Sequence, residues 1–214
     1  MIIVYFLKFN IYFLIGYKYC HLYKFFFKFP VFQPRNDSVI FFNCYKNFFD
    51  KLFVKFFFEP GIGSFFFIKI FIEFYSFNSL GVDRSFFSFF FFDFFSRCVC
   101  IYNCEWIYIF NSFKRVNIFF CNPPYLSLRD VYFFYFDDVK EYKYSLGSKI
   151  NGFHDLFYII KNAYDLLLNN GFIFLEHGYM QRGLVKKIML LVGFVNVSTY
   201  RDSLSLNRIT VGEK

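Results

Sequence analysis

At 214 residues the chain has room for one full α/β domain plus a short appendage, which excludes two domains of ordinary size. Apolar residues make up 57% and aromatics 29%, above the usual apolar share of about 45–50%; yet no window reads as a transmembrane helix, because Lys55, Glu59 and Lys69, or Asp83, Arg84 and Asp93, break the greasiest stretches. The net charge of +8 suits an acidic partner such as RNA or a ribosome-bound factor, and equally keeps a greasy chain in solution.

Residues 1–29 alternate aromatics with Lys and Tyr and read as a hairpin or a short helix followed by an edge strand. The apolar start carries Lys8 and Asn10 and has no basic region ahead of it, unlike a signal peptide or anchor, so a cytoplasmic protein without a membrane segment is expected. A turn at Pro34 and an N-cap at Asp37 or Ser38 open a helix to about residue 49. A buried strand over 52–58, a turn at Pro60-Gly61-Ile62-Gly63-Ser64 and a helix over 65–75 follow. The beat repeats with a strand at 79–83, a helix at 85–96, and strands at 98–102 and 116–121. After a polar, irregular stretch (126–149) come an amphipathic helix over 153–168 closed by Asn169-Asn170-Gly171, a strand at 172–176, a helix at 181–192, and strands at 194–200 and 208–212. Strands alternating with helices imply a doubly wound, mostly parallel, Rossmann-like sheet, in which ligands bind beyond the carboxyl ends of the strands.

Three constellations sit at such ends. Glu59-Pro60-Gly61-Ile62-Gly63 closes the first strand, and glycines there let the backbone approach a ligand closely. Asp83 ends the second strand, where a carboxylate can accept hydrogen bonds from both ribose hydroxyls, so the pair points to a nucleoside cofactor. Asn122-Pro123-Pro124-Tyr125 follows the apolar run 116–121. Its prolines fix φ and donate nothing, so the surrounding carbonyls stay free to accept. Asn122 and the Pro123 carbonyl can take the two N–H bonds of a planar nitrogen, and Tyr125 can stack on the flat group, which suits methyl transfer to an amide or amino nitrogen. Glu105 and Trp106, the only tryptophan, read either as core or as the adenine end of the cofactor pocket. His154 and His177 have no metal-ligand spacing, and the six cysteines show no paired CxxC; reduced thiols and no metal are expected.

Together with Pro34-Arg35-Asn36-Asp37-Ser38, Gly81-Val82-Asp83-Arg84-Ser85, Asn151-Gly152-Phe153 and Leu175-Glu176-His177-Gly178, these motifs resemble, in order and spacing over roughly residues 20–214, the PrmC/HemK family. Its members are S-adenosylmethionine-dependent methyltransferases that modify the glutamine of the Gly-Gly-Gln motif in bacterial peptide chain release factors. The resemblance implies a seven-stranded sheet of the S-adenosylmethionine methyltransferase type, with Glu59, Gly61, Ile62, Gly63, Asp83, Glu105, Trp106 and Asn122 at the cofactor. It implies Asn122, Pro123, Pro124 and Tyr125 at the substrate glutamine, Asn122, Pro123 and Tyr125 being catalytic. Glu141 and Leu146 resemble remnants of the family's stretch beyond the turn.

The chain departs from that pattern in several places. Phe65 stands at the third loop glycine, Pro60 replaces an apolar residue, Tyr142 stands where a proline is usual and Asn151 where an aspartate is. The family's helical amino-terminal domain reads as reduced to a remnant, residues 1–33, ahead of a methyltransferase domain at 34–214. The expected partner is a release factor and the expected state a monomer. Two alternatives stay open: an adenine methyltransferase of rRNA or DNA, which would share the tetrapeptide, and a cofactor-binding remnant without turnover.

Overall fold

A computed structural model describes residues 40, 44, 56–63, 67–68, 78–83, 99–103, 116–127, 147–148 and 153–214. The expectations for residues 1–33, Pro34-Arg35, Phe65, the helix at 85–96, Glu105, Trp106, Glu141, Leu146 and Asn151 lie outside the described residues. Nine strands are described: β1 (Phe56–Pro60), β2 (Asn78–Asp83), β3 (Val99–Asn103), β4 (Val116–Cys121), β5 (Leu126–Ser127), β6 (Gly147–Ser148), β7 (Leu167–Glu176), β8 (Val195–Arg201) and β9 (Asn207–Glu213). The long described helices are α1 (Phe153–Leu166) and α2 (Arg182–Val192).

Seven strands form one sheet in the order β3-β2-β1-β4-β7-β9-β8. Pairing is parallel except on both sides of β9, which runs against β7 and β8, so the doubly wound, mostly parallel arrangement is as expected. β2 and β3 extend one way from β1 and β4 starts the other way. The strand order therefore reverses between β1 and β4, and that is where open α/β sheets leave a crevice.

The phenylalanines explain how so uniform a sequence builds two different faces. Side chains alternate across a strand, so Phe58 and Phe119 share one face and Phe57 and Phe120 the other. On the first face Phe58 meets Phe119 edge-on at 5.3 Å, and Ile173, Leu175 and Cys121 join them beneath Leu156, Ile159, Ile160 and Ala163 of α1 and Val185, Ile188 and Met189 of α2. On the second face Phe120 contacts Phe57 at 5.9 Å, Phe174 at 6.3 Å and the helical Phe67 at 4.6 Å. Strands covered on both faces read as unbroken apolar runs, which is why β1 and β4 stand out in the sequence. β8, at the sheet's edge, is mostly exposed.

Besides β1, which runs to Pro60 where the strand was expected to end at residue 58, two places correct the sequence reading. The helix expected to run to residue 168 stops at Leu166 and passes directly into β7, so Asn169-Asn170-Gly171 is part of the strand rather than a helix cap. The end of β9 causes this: the Asn170 N–H donates to the Lys214 carbonyl at 2.8 Å and the Lys214 N–H to Gly171 O at 2.9 Å. The Lys214 ammonium meanwhile donates to the carbonyls of Tyr164 and Leu167, which closes the carboxyl end of α1 with a cation. Asn170, with φ 62°, absorbs the extra residues as a bulge against β4, whose register shifts between Val116 and Ile118. The second correction concerns the irregular stretch 126–149, whose two ends pair in parallel as β5 and β6.

Among the described residues no helix is long and apolar enough to cross a membrane, and no group of His, Cys, Asp and Glu could hold a metal ion.

Candidate active site

The site grows from the carboxyl ends of β1, β2, β4 and β7. The chain leaves β1 through Gly61, Ile62 and Gly63, and both glycines have positive φ (74° and 49°), a conformation costly for any residue with a Cβ. The loop folds back on β2: the Gly61 N–H donates to Val82 O at 2.7 Å, and the Gly63 N–H donates to the Asp83 carboxylate at 2.9 Å. Gly81 makes this approach possible, because a Cβ there would lie 2.5 Å from Ile62 Cγ2 and 2.7 Å from Ile68 Cδ1. A narrow backbone cradle thus opens beside a carboxylate at the end of β2. A carboxylate at that place can accept from vicinal hydroxyls, and the ribose of S-adenosylmethionine has that chemistry.

Glu59 serves the cradle from beneath. It is buried, and its Oε2 accepts the Ile68 N–H at 3.1 Å, so it ties the end of β1 to the helical residues that follow the loop. Burial pushes its carboxyl well above the usual range; the Ile68 amide pulls it back, and the Asp83 charge raises it again.

β4 delivers the tetrapeptide next door. Cys121, its last residue, is fully buried, and its thiol reaches Pro60 O at 3.7 Å, so the two strand ends are pinned together under the site. Asn122 is half-buried, and among the described residues its carboxamide has no hydrogen-bond partner. Pro123 is buried, and Pro124 and Tyr125 are half-buried. Tyr125 is then tied across the sheet: its hydroxyl donates to Glu176 Oε1 at 3.1 Å, and its carbonyl accepts from Gln181 Nε2 at 3.1 Å. The glycine loop and the Asn-Pro-Pro-Tyr turn therefore rise from adjacent strands where the strand order reverses; the sequence placed each at a strand end, and the structure adds that the strands are neighbours.

The β7 end carries residues whose contacts the sequence reading did not foresee. His177, fully buried, hydrogen-bonds Gly178 O through Nδ1 at 2.9 Å and Thr210 Oγ1 through Nε2 at 2.8 Å; Thr210 Oγ1 in turn meets Thr199 Oγ1 at 2.9 Å. A carbonyl only accepts, so in the neutral ring Nδ1 carries the proton, Nε2 accepts from Thr210, and Thr199 donates to Thr210. Burial lowers the imidazole pKa; the Gly178 carbonyl opposes that shift and Arg208 reinforces it. A folded pKa below the unfolded value of about 6.5 means that this stability is complete above that pH and is lost as pH falls through the folded pKa. Urea denaturation of wild type at pH 7.5 and 5 should show the loss, and His177→Gln should lose less over the same interval. An equal loss in both would rule out His177 as its source.

No protein-family model matches the chain. Among curated proteins it is similar to the release factor glutamine methyltransferase of Buchnera aphidicola subsp. Acyrthosiphon pisum, 35% identical over 104 residues that cover 49% of this chain and 38% of the relative. It is also similar to the proteins of the same name from Shewanella oneidensis (39% over 92 residues, 43% of this chain and 32% of the relative) and Escherichia coli (33% over 91 residues, 42% and 33%). The chain thus spans well under half the length of the curated relatives it matches. Solved structures with this fold include the hMettl16 catalytic domain bound to a 3′ UTR hairpin (TM-score 0.68, 8% identity, 86% of this chain and 73% of that one). A second is an S-adenosylmethionine-dependent methyltransferase from Archaeoglobus fulgidus (TM-score 0.54, 12% identity, 84% and 95%). With strand order and sequence likeness in agreement, the chain is similar to release factor glutamine methyltransferases over about half its length and has the fold of the S-adenosylmethionine-dependent methyltransferases.

Proposed function

We propose that the protein methylates the side-chain amide nitrogen of the glutamine in the Gly-Gly-Gln motif of peptide chain release factors, in the cytoplasm, using S-adenosylmethionine. The observation that carries this reading is the Asn-Pro-Pro-Tyr turn standing beside the glycine loop, between β1 and β4, where the strand order reverses. When bound, S-adenosylmethionine supplies an electrophilic methyl group. Gly61, Ile62 and Gly63 would hold it through backbone contacts, Asp83 through its hydroxyls, and Glu59 would act by fixing the loop from below.

The protein's other task is to prepare a poor nucleophile. An amide nitrogen has its lone pair delocalised into the carbonyl, and two acceptors on its N–H bonds favour pyramidal geometry and offset the positive charge that develops there. The Asn122 side-chain oxygen and the Pro123 carbonyl are the acceptors in this reading, and Tyr125 is the stacking surface. Because both sit on the end of a buried strand, the orientation is set before substrate arrives.

The test mixes purified protein, S-adenosylmethionine and a bacterial release factor and follows the mass of the Gly-Gly-Gln peptide. A gain of one methyl group supports the proposal. A release factor that stays unmodified while rRNA or DNA gains methyladenine would replace it with nucleic-acid methylation, and cofactor binding with no methylated product would replace it with a binding role.

A further inference from the structure

Gln181 closes the 3-10 turn Tyr179–Gln181 that follows the β7 end, with its own N–H donating to Gly178 O at 2.8 Å. Its side chain is used at both ends. Oε1 accepts the Gly178 N–H at 2.9 Å, and Nε2 donates to the Tyr125 carbonyl at 3.1 Å, across a separation of 56 residues. The two partners have fixed polarity, a donor on one side and an acceptor on the other, so only one orientation of the carboxamide satisfies both. Glutamine meets this demand where its neighbours in chemistry do not: glutamate has no donor for Tyr125, leucine has neither group, and asparagine is one methylene short.

Through these bonds Tyr125 is gripped at two points, its carbonyl by Gln181 in the turn after β7 and its hydroxyl by Glu176, the last residue of β7. Between β4 and Tyr125 lie only Asn122 and the two prolines, whose φ angles are locked. A short, stiff segment held at β4 on one side and at Tyr125 on the other has little freedom left. We propose that Gln181 is a positioning residue: by fixing the Tyr125 carbonyl it sets the direction in which Asn122 and Pro123 present their acceptors, without itself touching substrate. This rests on the methyl-transfer reading of the turn.

The experiment compares wild type with Gln181→Leu and Gln181→Glu; the second keeps the acceptor for Gly178 and removes the donor for Tyr125. With the release factor as substrate, kcat is expected to fall about 10- to 100-fold in both variants, since a misplacement on the order of 1 Å costs about that much. Affinity for S-adenosylmethionine, whose cradle lies on β1 and β2, should stay within about twofold. Wild-type kcat in Gln181→Glu would overturn the proposal, as would a parallel loss of cofactor affinity and melting temperature, which marks a general structural role. Hydrogen exchange is the readout independent of turnover: the peptide containing Tyr125 should exchange faster in both variants while the β1 peptide is unchanged. If wild type methylates no release factor, the functional reading fails, and exchange still decides the clamp; unchanged exchange at Tyr125 rejects it.

Discussion

Asn122→Ala is expected to lower methyl incorporation into the release factor by about 10²- to 10³-fold, the usual effect of deleting one preorganised polar group aimed at developing charge. The structure explains why the loss should be so concentrated. Asn122 is held by neighbours on both sides, Cys121 buried at the end of β4 and Pro123 buried behind it, yet its own carboxamide has no partner among the described residues. Truncation therefore leaves the backbone path in place and removes a group that the fold itself does not use. Binding of labelled S-adenosylmethionine should change less than about tenfold, and the melting temperature by no more than a few degrees. Single-turnover methylation alongside equilibrium cofactor binding separates these effects. Turnover within threefold of wild type would remove Asn122 from the chemistry.

Asp202→Ala should produce the largest loss of stability, about 2–4 kcal/mol, seen as a fall of roughly 5–15 °C in melting temperature. Asp202 lies between β8 and β9 with its side chain fully buried. One oxygen accepts the N–H groups of Leu204 and Leu206, at 3.0 and 2.8 Å; the other accepts from Arg208 Nε and Nη2, at 3.2 and 3.1 Å. Alanine would strand two backbone donors and leave the Arg208 guanidinium, itself only 14% exposed, without this counter-charge. The figure sits below the full cost of breaking a buried pair because Arg208 retains some access to water. Asp202→Asn keeps an acceptor for the amides and should lose about half as much. A melting temperature for Asp202→Ala within 2 °C of wild type would show that the turn is held by other contacts.

The sequence revealed local features well and crossings poorly. β4 and the 172–175 part of β7 were legible because a strand buried on both faces has an apolar residue at nearly every position; β1 was expected to end at residue 58 and runs to Pro60, and the observed bounds of β2, β3, β8 and β9 differ from expectation by at most one residue at either end. The glycine loop, Asp83 and the Asn-Pro-Pro-Tyr turn were visible because each is a short motif at a strand end. Gln181 was not, although it was noticed as the start of a helix, since its meaning lies in a hydrogen bond to a residue 56 positions earlier. The same holds for His177, whose ring bonds to Thr210 on a strand 33 positions later. Asn169-Asn170-Gly171 misled for a different reason: the composition that ends helices also forms bulges, and only the pairing with the end of β9 decides between them.

Cys121 gives the protein a built-in reporter. Burial drives its thiol well above the ordinary range, with Glu59 and Glu176 adding to the shift, so it carries almost no thiolate and no surface for an oxidant or alkylating reagent to reach. A cysteine directly before the tetrapeptide is therefore shielded from peroxide in the folded state. It becomes reactive when the packing around the end of β4 opens, so the speed of its labelling reports how often the strands and helices that cover it come away.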